Sequence, residues 1–309
     1  MMDKISIITS LYKSENYIEQ FYYNYLNVFK SIQVDYEFIF VDDGSPDFSV
    51  QEVKKLLNID GKIQLIELAR NFGQYPAMFA GLTKATGNLI YTIDSDLEED
   101  PQNLILMYKI LLKEPNLDVV YGVLSQRNSD FINGYLGKIF YIILNFISDI
   151  RIPDNQTWQR LMRFNFVESL LLHKEYESFP AGLSAITGYN QRFITVEKKF
   201  KGVSSYNFKK RLIYALNGLI SFSSKPLVYI SIFGFFIAFC SLLLIFYIIF
   251  SKLFIYNFQA GWLILITSIW LVGGLIIISV GILGIYISKI FNQTKNRPLY
   301  IIKKNIHLF

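Results

Sequence analysis

The sequence has very few residues of the kinds that build disulfide frameworks and soft-metal centres. Its 309 residues include one cysteine, Cys240, and two histidines, His173 and His307, which lie far apart in the chain. A single cysteine excludes a disulfide framework and a cysteine metal site, and the isolated histidines have no metal-ligand spacing. There is also no zinc-finger spacing and no RNA-binding pattern of basic and aromatic residues, so nucleic acid is not an expected partner.

Charged residues are scarce as well, and two long stretches near the end of the chain lack them entirely. Only 18% of residues are charged, whereas 52% are hydrophobic. Residues 227–250 and 260–288 contain no Asp, Glu, Lys or Arg, and each stretch is long enough to cross a bilayer. We therefore expect two transmembrane helices in the region 226–288, with no ionisable side chain for an ion pathway.

Basic residues flank these predicted spans on one side only. The short link between the spans has a single lysine, whereas nine basic residues precede the first span or follow the second: Lys209, Lys210, Arg211, Lys225, Lys289, Lys295, Arg297, Lys303 and Lys304. The positive-inside rule then predicts a multi-pass protein of the cell inner (plasma) membrane, with the first domain and both termini in the cytoplasm. The start of the chain has no signal-peptide pattern.

Two further segments have the apolar and basic character of helices at a membrane surface. Residues 206–225 form a basic amphipathic segment before the first span, which predicts a juxtamembrane helix. Residues 132–150 carry a broad apolar stripe that fits either a core helix or an interface helix. Residues 289–309 are interpreted as a cytoplasmic basic tail.

The first part of the chain alternates between short strand-like runs and helix-like runs. This pattern predicts an α/β domain over residues 1–205, with a Rossmann-like, mostly parallel sheet and helices on both faces. Polar turns follow three of the predicted strands, at Ser10, at Asp42-Asp43 and at residues 94–96. Parallel strands bring such turns to one edge of the sheet, so we expect them to line a shared crevice in which ligands bind.

The turn at Asp94-Ser95-Asp96 carries the most specific chemistry of the three. It follows an apolar run, and Asp is depleted inside strands, so the acids mark the end of the strand. Two hard oxygen ligands placed in this way can hold Mg²⁺ or Mn²⁺ together with phosphate oxygens of a substrate. The alternative is an acidic loop that caps the next helix, because Asp100-Pro101 resembles an N-cap followed by proline. The residues alone leave both interpretations open.

Several ordered motifs give the chain a resemblance to a known family. They are Val41-Asp-Asp-Gly-Ser45, Leu68-Ala-Arg-Asn-Phe-Gly73, Asp94-Ser-Asp-Leu97, Arg160-Leu-Met162, Gly202-x-Ser-x-Tyr206 and Arg297-Pro-x-Tyr300. Together with the two-span hairpin, they resemble the family 2 glycosyltransferases of GT-A fold. Within these, the chain is similar to the polyprenyl-phosphate glycosyltransferases, which include dolichol-phosphate mannose synthase and bacterial undecaprenyl-phosphate sugar transferases. The resemblance covers nearly the whole chain, and several motifs at family spacing are more specific than any one of them.

The resemblance implies a membrane enzyme that moves a sugar from a nucleotide sugar to a polyprenyl phosphate, with inversion at the anomeric carbon. Asp94 and Asp96 would hold the metal, and Glu98, where the family usually has Gln, would add a ligand. The implied donor-binding residues are Ser10, Tyr12, Glu15, Asp42, Asp43, Arg70 and Ser95. The oligomeric state stays open, although the hairpins of the family often associate, which would give a homo-oligomer.

The acceptor side of the implied reaction needs cations rather than a base, because a lipid phosphate is already anionic at neutral pH. Arg160 is the first candidate for the phosphate contact and counts with Asp94 and Asp96 as catalytic. Further candidates are Arg127, Lys199, Lys201, Ser204 and Tyr206, whereas Arg163 fits a surface position equally well. Arginine suits this role because its guanidinium makes bidentate contacts with phosphate.

Departures from the family pattern leave the sugar and the nucleotide open. The start of the domain reads Ser10-Leu-Tyr-Lys-Ser-Glu15, and Trp158-Gln159 replaces the usual Asp-Phe before Arg160. A processive polysaccharide synthase is rejected, because residues 156–160 lack the spacing of its Gln-x-x-Arg-Trp motif. The remaining alternative is a non-catalytic, membrane-anchored scaffold that binds a nucleotide sugar in a cell-envelope glycan pathway.

Overall fold

The computed structural model describes residues 3–125, 156–173, 180–198 and 261–307, together with parts of 225–243. Its centre is one eight-stranded sheet. The strands are β1 (Lys4–Leu11), β2 (Asp35–Asp42), β3 (Ile63–Leu68), β4 (Leu89–Thr92), β5 (Val119–Leu124), β6 (Gln156–Arg163), β7 (Gln191–Val196) and β8 (Ile302–His307). The helices are α1 (Ile18–Ile32), α2 (Ser49–Leu57), α3 (Gln74–Leu82), α4 (Gln102–Lys113), α5 (Phe164–Leu171), α6 (Pro180–Ile186) and α7 (Gly261–Thr294).

The sheet is mixed, with the strand order β7-β5-β6-β4-β1-β2-β3-β8. Strands β4, β1, β2 and β3 are parallel to one another, as the alternating sequence pattern predicts. Strand β6 runs antiparallel to both β4 and β5, and β8 runs antiparallel to β3. The α/β class is therefore confirmed, and the mostly parallel character holds for the half of the sheet that carries the predicted crevice.

Helices cover both faces of this sheet. Consecutive residues of a strand point to opposite faces, so each central strand contributes apolar side chains to both. Phe38 and Phe40 of β2 pack in one cluster with α1, α2 and α4. Ile39 and Val41 of the same strand pack in a second cluster with α3, α5 and α6. Strands buried on both faces are expected for a parallel sheet, which explains the continuous apolar run of β2 from Phe38 to Val41.

The last strand, β8, comes from the region predicted as a basic tail. It pairs with β3 in antiparallel register, with Lys304 opposite Glu67. Leu299, Tyr300 and Ile302 pack against the cluster that contains α3. Lysines on an outer strand protect a sheet edge from pairing with other chains, so the basic sequence of this segment is compatible with a strand.

Helix α7 contains a segment, Leu271–Thr294, that is long and apolar enough to cross a membrane. Apolar side chains such as Leu271 and Ile277 are exposed instead of packed against the sheet. The predicted second span, 260–288, falls almost wholly within this helix. The predicted first span, 227–250, is described only in part, where Leu227–Ile237 is a short apolar helix. Most of the predicted segments 132–150 and 206–225 lies outside the described residues.

Candidate functional site

The turns after β1, β2 and β4 meet at one edge of the sheet and are joined by serine hydroxyls. The Ser14 and Ser95 hydroxyl oxygens lie 3.0 Å apart, and the Ser95 hydroxyl also donates to the Ser10 carbonyl at 3.3 Å. The Ser14 backbone N–H donates to the Ser49 hydroxyl at 3.0 Å, and the Lys13 N–H donates to the Ser45 hydroxyl at 2.7 Å. The three polar turns therefore lie together at one edge of the sheet, where the sequence predicts the ligand-binding crevice.

Residues 94–99, called the acidic turn below, follow β4 in a constrained conformation. Both oxygens of Asp94 accept hydrogen bonds, Oδ1 from the Gln74 amide at 2.5 Å and Oδ2 from the Lys198 ammonium at 3.4 Å. Asp96 Oδ1 accepts the Glu98 N–H at 3.0 Å. Leu97 between them has a φ of 61°. A branched side chain in the left-handed region is uncommon, and such backbone strain clusters at functional sites.

Lys198 places its ammonium group among the carboxylates of the acidic turn. Its Nζ lies 3.4 Å from Asp94, 3.5 Å from Glu99 and 3.7 Å from Glu98. The backbones of Glu99 and Lys198 also form an isolated antiparallel bridge. Sequence reasoning missed both residues, because Lys198 is distant in the chain and Glu99 lies outside the Asp-x-Asp spacing.

Glu99 is buried and Asp94 is partly buried, and the pKa values of both are raised. Burial and the nearby Asp94 raise the pKa of Glu99 to about 8, although Lys198 opposes the shift. Burial also raises the pKa of Asp94. Burial disfavours the charge of Lys198, but attraction to Glu99, Asp94, Asp96 and Glu98 outweighs it and raises its pKa. The cluster therefore holds several acidic groups close together and already stabilises a cation among them.

The chemistry of these side chains fits a divalent cation of the Mg²⁺ or Mn²⁺ type, which takes carboxylate oxygens as ligands. Both carboxylate oxygens of Glu99 are buried without a hydrogen-bond partner, and three acidic side chains face a single ammonium. Over the described ranges, however, no three His, Cys, Asp or Glu side chains already stand in an arrangement that could hold a metal. A metal at Asp94 would therefore have to replace Lys198 or Gln74 as the partner of that carboxylate.

The two acids that follow β2 have different environments. Asp43 is 3% exposed, and its oxygens accept the Phe72 and Gly73 N–H groups at 2.7 and 2.9 Å. It therefore anchors the loop 70–73 instead of facing the crevice with free oxygens. Asp42 accepts the Ser45 N–H at 3.2 Å. Burial, with a smaller contribution from the nearby Glu67, raises the pKa of Asp42 to about 6.

The other predicted donor residues lie around the same crevice. Tyr12 is 49% exposed, while the Glu15 carboxylate accepts the Phe48 N–H at 2.9 Å near the start of α2. Arg70 is exposed, and its guanidinium lies 4.5 Å from the centre of the Phe72 ring. Ser95, by contrast, is buried and joins two turns, which gives it a structural task.

Arg160 lies on β6 directly opposite Thr92 of β4, one strand away from the acidic turn. It is 8% exposed, donates to Gln156 Oε1 at 2.6 Å and lies 5.8 Å from the centre of the Tyr121 ring. Among the described side chains no carboxylate forms an ion pair with it, and burial lowers its pKa to about 10. A small cavity of about 30 Å³ beside it is lined mainly by apolar side chains, including Trp158 and Phe79.

Arg163, three residues further along β6, has a different function. Its guanidinium donates to the carbonyls of Leu117 and Leu111 at 2.8 and 3.1 Å, so it links β6 to the end of α4 and the loop after it. This arginine is structural. The remaining acceptor-side candidates, Arg127, Lys199, Lys201, Ser204 and Tyr206, lie outside the described residues and stay predictions.

Comparison with known proteins finds one matching family. The sequence model described as "Glycosyl transferase family 2" matches residues 6–171, which include most of β1, all of β2 to β6 and the acidic turn. A protein of Mycobacterium tuberculosis described as a glycosyltransferase is 40% identical over 97% of this chain and 88% of its own length. The bactoprenol glucosyl transferase of Shigella phage SfII is 32% identical over 98% of each chain, and that of phage SfV is 31% identical over 97% and 98%.

Solved structures are more distant. The mannosyltransferase PcManGT from Pyrobaculum calidifontis, in complex with GDP-Man and Mn²⁺, is 17% identical over 71% of this chain and 63% of its own, with a TM-score of 0.47. A similarity of this size carries no information about the metal or the substrate of this chain.

Proposed function

Because this chain belongs to glycosyl transferase family 2, we propose that it transfers a sugar from a nucleotide sugar to a polyprenyl phosphate at the cytoplasmic face of the membrane. The product is a polyprenyl-phosphate-linked sugar. The observation that carries the proposal is the similarity to a bactoprenol glucosyl transferase over 98% of the chain. That similarity includes the apolar helix α7 as well as the crevice, and so it supports a lipid acceptor and not only a sugar donor.

On the donor side, Asp94 and Asp96, with Glu98, would hold Mg²⁺ or Mn²⁺, which supplies positive charge to the departing nucleoside diphosphate. Gln74 fixes one oxygen of Asp94, and the turn at Leu97 sets the direction of the neighbouring acids. Asp42 and Ser10 would accept hydrogen bonds from the nucleoside. Asp43 would act indirectly, because it holds the backbone of Phe72 and Gly73 in the loop that carries Arg70.

On the acceptor side, Arg160 would bind the phosphate of the lipid. Burying a guanidinium without a counter-ion is unfavourable, so this position is explained best by an anionic ligand. The phosphate oxygen attacks the anomeric carbon directly and inverts its configuration, and the oxygen needs no general base because it is already charged.

The pairing of β8 with β3 supports the two-span topology. The end of the chain and the catalytic sheet must lie on the same side of any membrane that α7 crosses. Because α7 crosses the membrane once, the chain must make an odd number of further crossings between β7 and α7 for β8 to lie on the same side as the rest of the sheet. The predicted span 227–250 lies in this interval and would supply one. Both termini would then lie on one side, which the positive-inside rule identifies as the cytoplasm.

Labelling of single cysteines tests this topology. In a Cys240→Ser background, one cysteine is placed in the link 251–259 and, in a second variant, one at Lys303. An impermeant thiol reagent added to intact cells should label the first and not the second. Labelling of Lys303→Cys from outside would contradict the proposed arrangement.

The transfer reaction is tested with membranes that carry the protein, incubated with undecaprenyl phosphate and a panel of nucleotide sugars. Glycolipid should form with Mn²⁺ or Mg²⁺ and disappear with EDTA. Asp96→Asn should abolish it, whereas Asp35→Asn, at the far end of β2 and 43% exposed, should retain it. A scaffold that only binds the donor would show no glycolipid with any nucleotide sugar.

A further inference from the structure

Lys198 occupies the position in which the acidic turn would receive a divalent cation. Its ammonium lies within 3.4–3.7 Å of three carboxylates, including Asp94, the first proposed metal ligand. The side chain is 23% exposed, while Glu99 beneath it is 1% exposed. The Lys198 ammonium and the partly buried Asp94 carboxylate interact strongly at 3.4 Å, because water screens them only in part. The protein thus carries its own cation at this site.

The attachment of Lys198 limits where this cation can go. Its backbone is bridged to Glu99, so the base of the side chain is fixed beside the acidic turn. The ammonium, at the end of a flexible four-carbon stem, can move away only by rotation of that stem. A divalent cation that bound Asp94 without a nucleotide would displace the ammonium. The ammonium would then lie beside a doubly positive ion and would lack an anionic partner.

A nucleoside diphosphate changes this balance, because it brings negative oxygens to the same place. When metal and diphosphate arrive together, the displaced ammonium gains phosphate oxygens as new partners. The two ligands should therefore strengthen each other's binding, and by linkage the effect is the same in both directions.

We propose that Lys198 is a built-in counter-cation that weakens the binding of free divalent metal and couples metal binding to the diphosphate of the donor. This inference rests on the proposed metal role of Asp94 and Asp96. It assigns to Lys198 a positioning function: its single charge offsets part of the repulsion among the acids and keeps the acidic turn ordered until the donor arrives.

The inference is tested by Mn²⁺ binding to the purified full chain, measured by electron paramagnetic resonance without nucleotide and with UDP or GDP. Lys198→Met should bind Mn²⁺ about tenfold more tightly than the unmodified protein when nucleotide is absent. Two unit charges about 4 Å apart interact by several RT even at an effective dielectric constant of about 20. Removal of the lysine charge should therefore change the Mn²⁺ affinity by an amount that is easily measured. The nucleotide should then raise Mn²⁺ affinity less in the variant than in the unmodified protein.

Lys62→Met is the matched control, because Lys62 also pairs with an acid but lies at the other end of the sheet. It should leave Mn²⁺ affinity unchanged. Damage to the fold would weaken Mn²⁺ binding, so a tighter complex cannot result from a merely structural role. Should Lys198→Met fail to fold, Lys198→Gln removes the same charge while keeping a hydrogen-bond donor, and the same tightening is expected.

Two failures can be told apart. Equal or weaker nucleotide-free Mn²⁺ binding by the Lys198 variants would overturn this inference alone, provided that the unmodified protein binds Mn²⁺ with UDP or GDP. Absence of Mn²⁺ binding by every protein, with either nucleotide, would overturn the proposed metal role and this inference with it.

Discussion

Replacement of Arg160 by methionine should remove transfer without weakening the fold. Burial lowers the pKa of Arg160 from 12.5 to about 10, and one pKa unit corresponds to about 1.4 kcal/mol, so the folded state loses about 3 kcal/mol by holding this charge. The guanidinium stays protonated at pH 7, well below that value, and the cost is therefore present under assay conditions. Loss of the hydrogen bond to the partly exposed Gln156 would cost about 1 kcal/mol.

The net expectation for Arg160→Met is stability that is unchanged or raised by about 2 kcal/mol, because the stem of methionine fills similar space. A charge-assisted contact with phosphate is worth about 2–3 kcal/mol, so kcat/KM for the lipid phosphate should fall about 100-fold. Thermal unfolding in detergent and glycolipid formation give the two readouts.

Arg163→Met is the control for this experiment, since it removes an arginine from the same strand. It should destabilise the protein by about 2 kcal/mol, because the carbonyls of Leu117 and Leu111 lose their donor, while the folded fraction keeps its activity. The reasoning is refuted if Arg160→Met unfolds the protein, or if it stays folded and transfers sugar at the unmodified rate.

Three further outcomes are expected. The affinity for UDP or GDP, measured by calorimetry, should fall as the pH drops through about 6, because Asp42 with its raised pKa then gains a proton. Asp42→Asn should bind the nucleotide weakly at every pH. If the variant keeps the pH dependence of the unmodified protein, Asp42 is excluded from the nucleotide site. Asp43→Asn should lower stability by about 1–3 kcal/mol and raise KM for the donor, since one of two N–H groups loses its acceptor; a normal KM would contradict its anchoring role. Deletion of residues 300–309 should lower the melting temperature of the catalytic domain because β3 loses its partner strand, and an unchanged melting temperature would show that β8 contributes nothing to stability.

The half of the sheet that carries the crevice could be predicted from sequence because its signals are local. Strands β1 to β4 are apolar runs that end in polar turns, and alternation with helices implies that they are parallel. The meeting of Ser10, Asp42 and Asp94 at one edge follows from that topology alone.

The parts of the fold and of the site that could not be predicted from sequence depend on contacts between distant segments. Five of the eight residues of strand β6 are polar or charged, and β8 is rich in lysine, so neither has the composition of a buried strand. Lys198 is separated from Asp94 by 104 residues, and no local spacing connects them. Asp43 resembled a ligand-binding acid, yet its partners are backbone N–H groups of a loop that only the folded structure brings near.

The central claim is that this chain joins a sugar to a polyprenyl phosphate. The most direct test is mass spectrometry of the lipids formed when purified protein, undecaprenyl phosphate and Mn²⁺ are incubated with individual nucleotide sugars. We expect one nucleotide sugar to yield a lipid heavier by one sugar residue, and Asp94→Asn to yield none. If every nucleotide sugar leaves the lipid unchanged while the protein is folded and binds UDP or GDP, the claim is wrong.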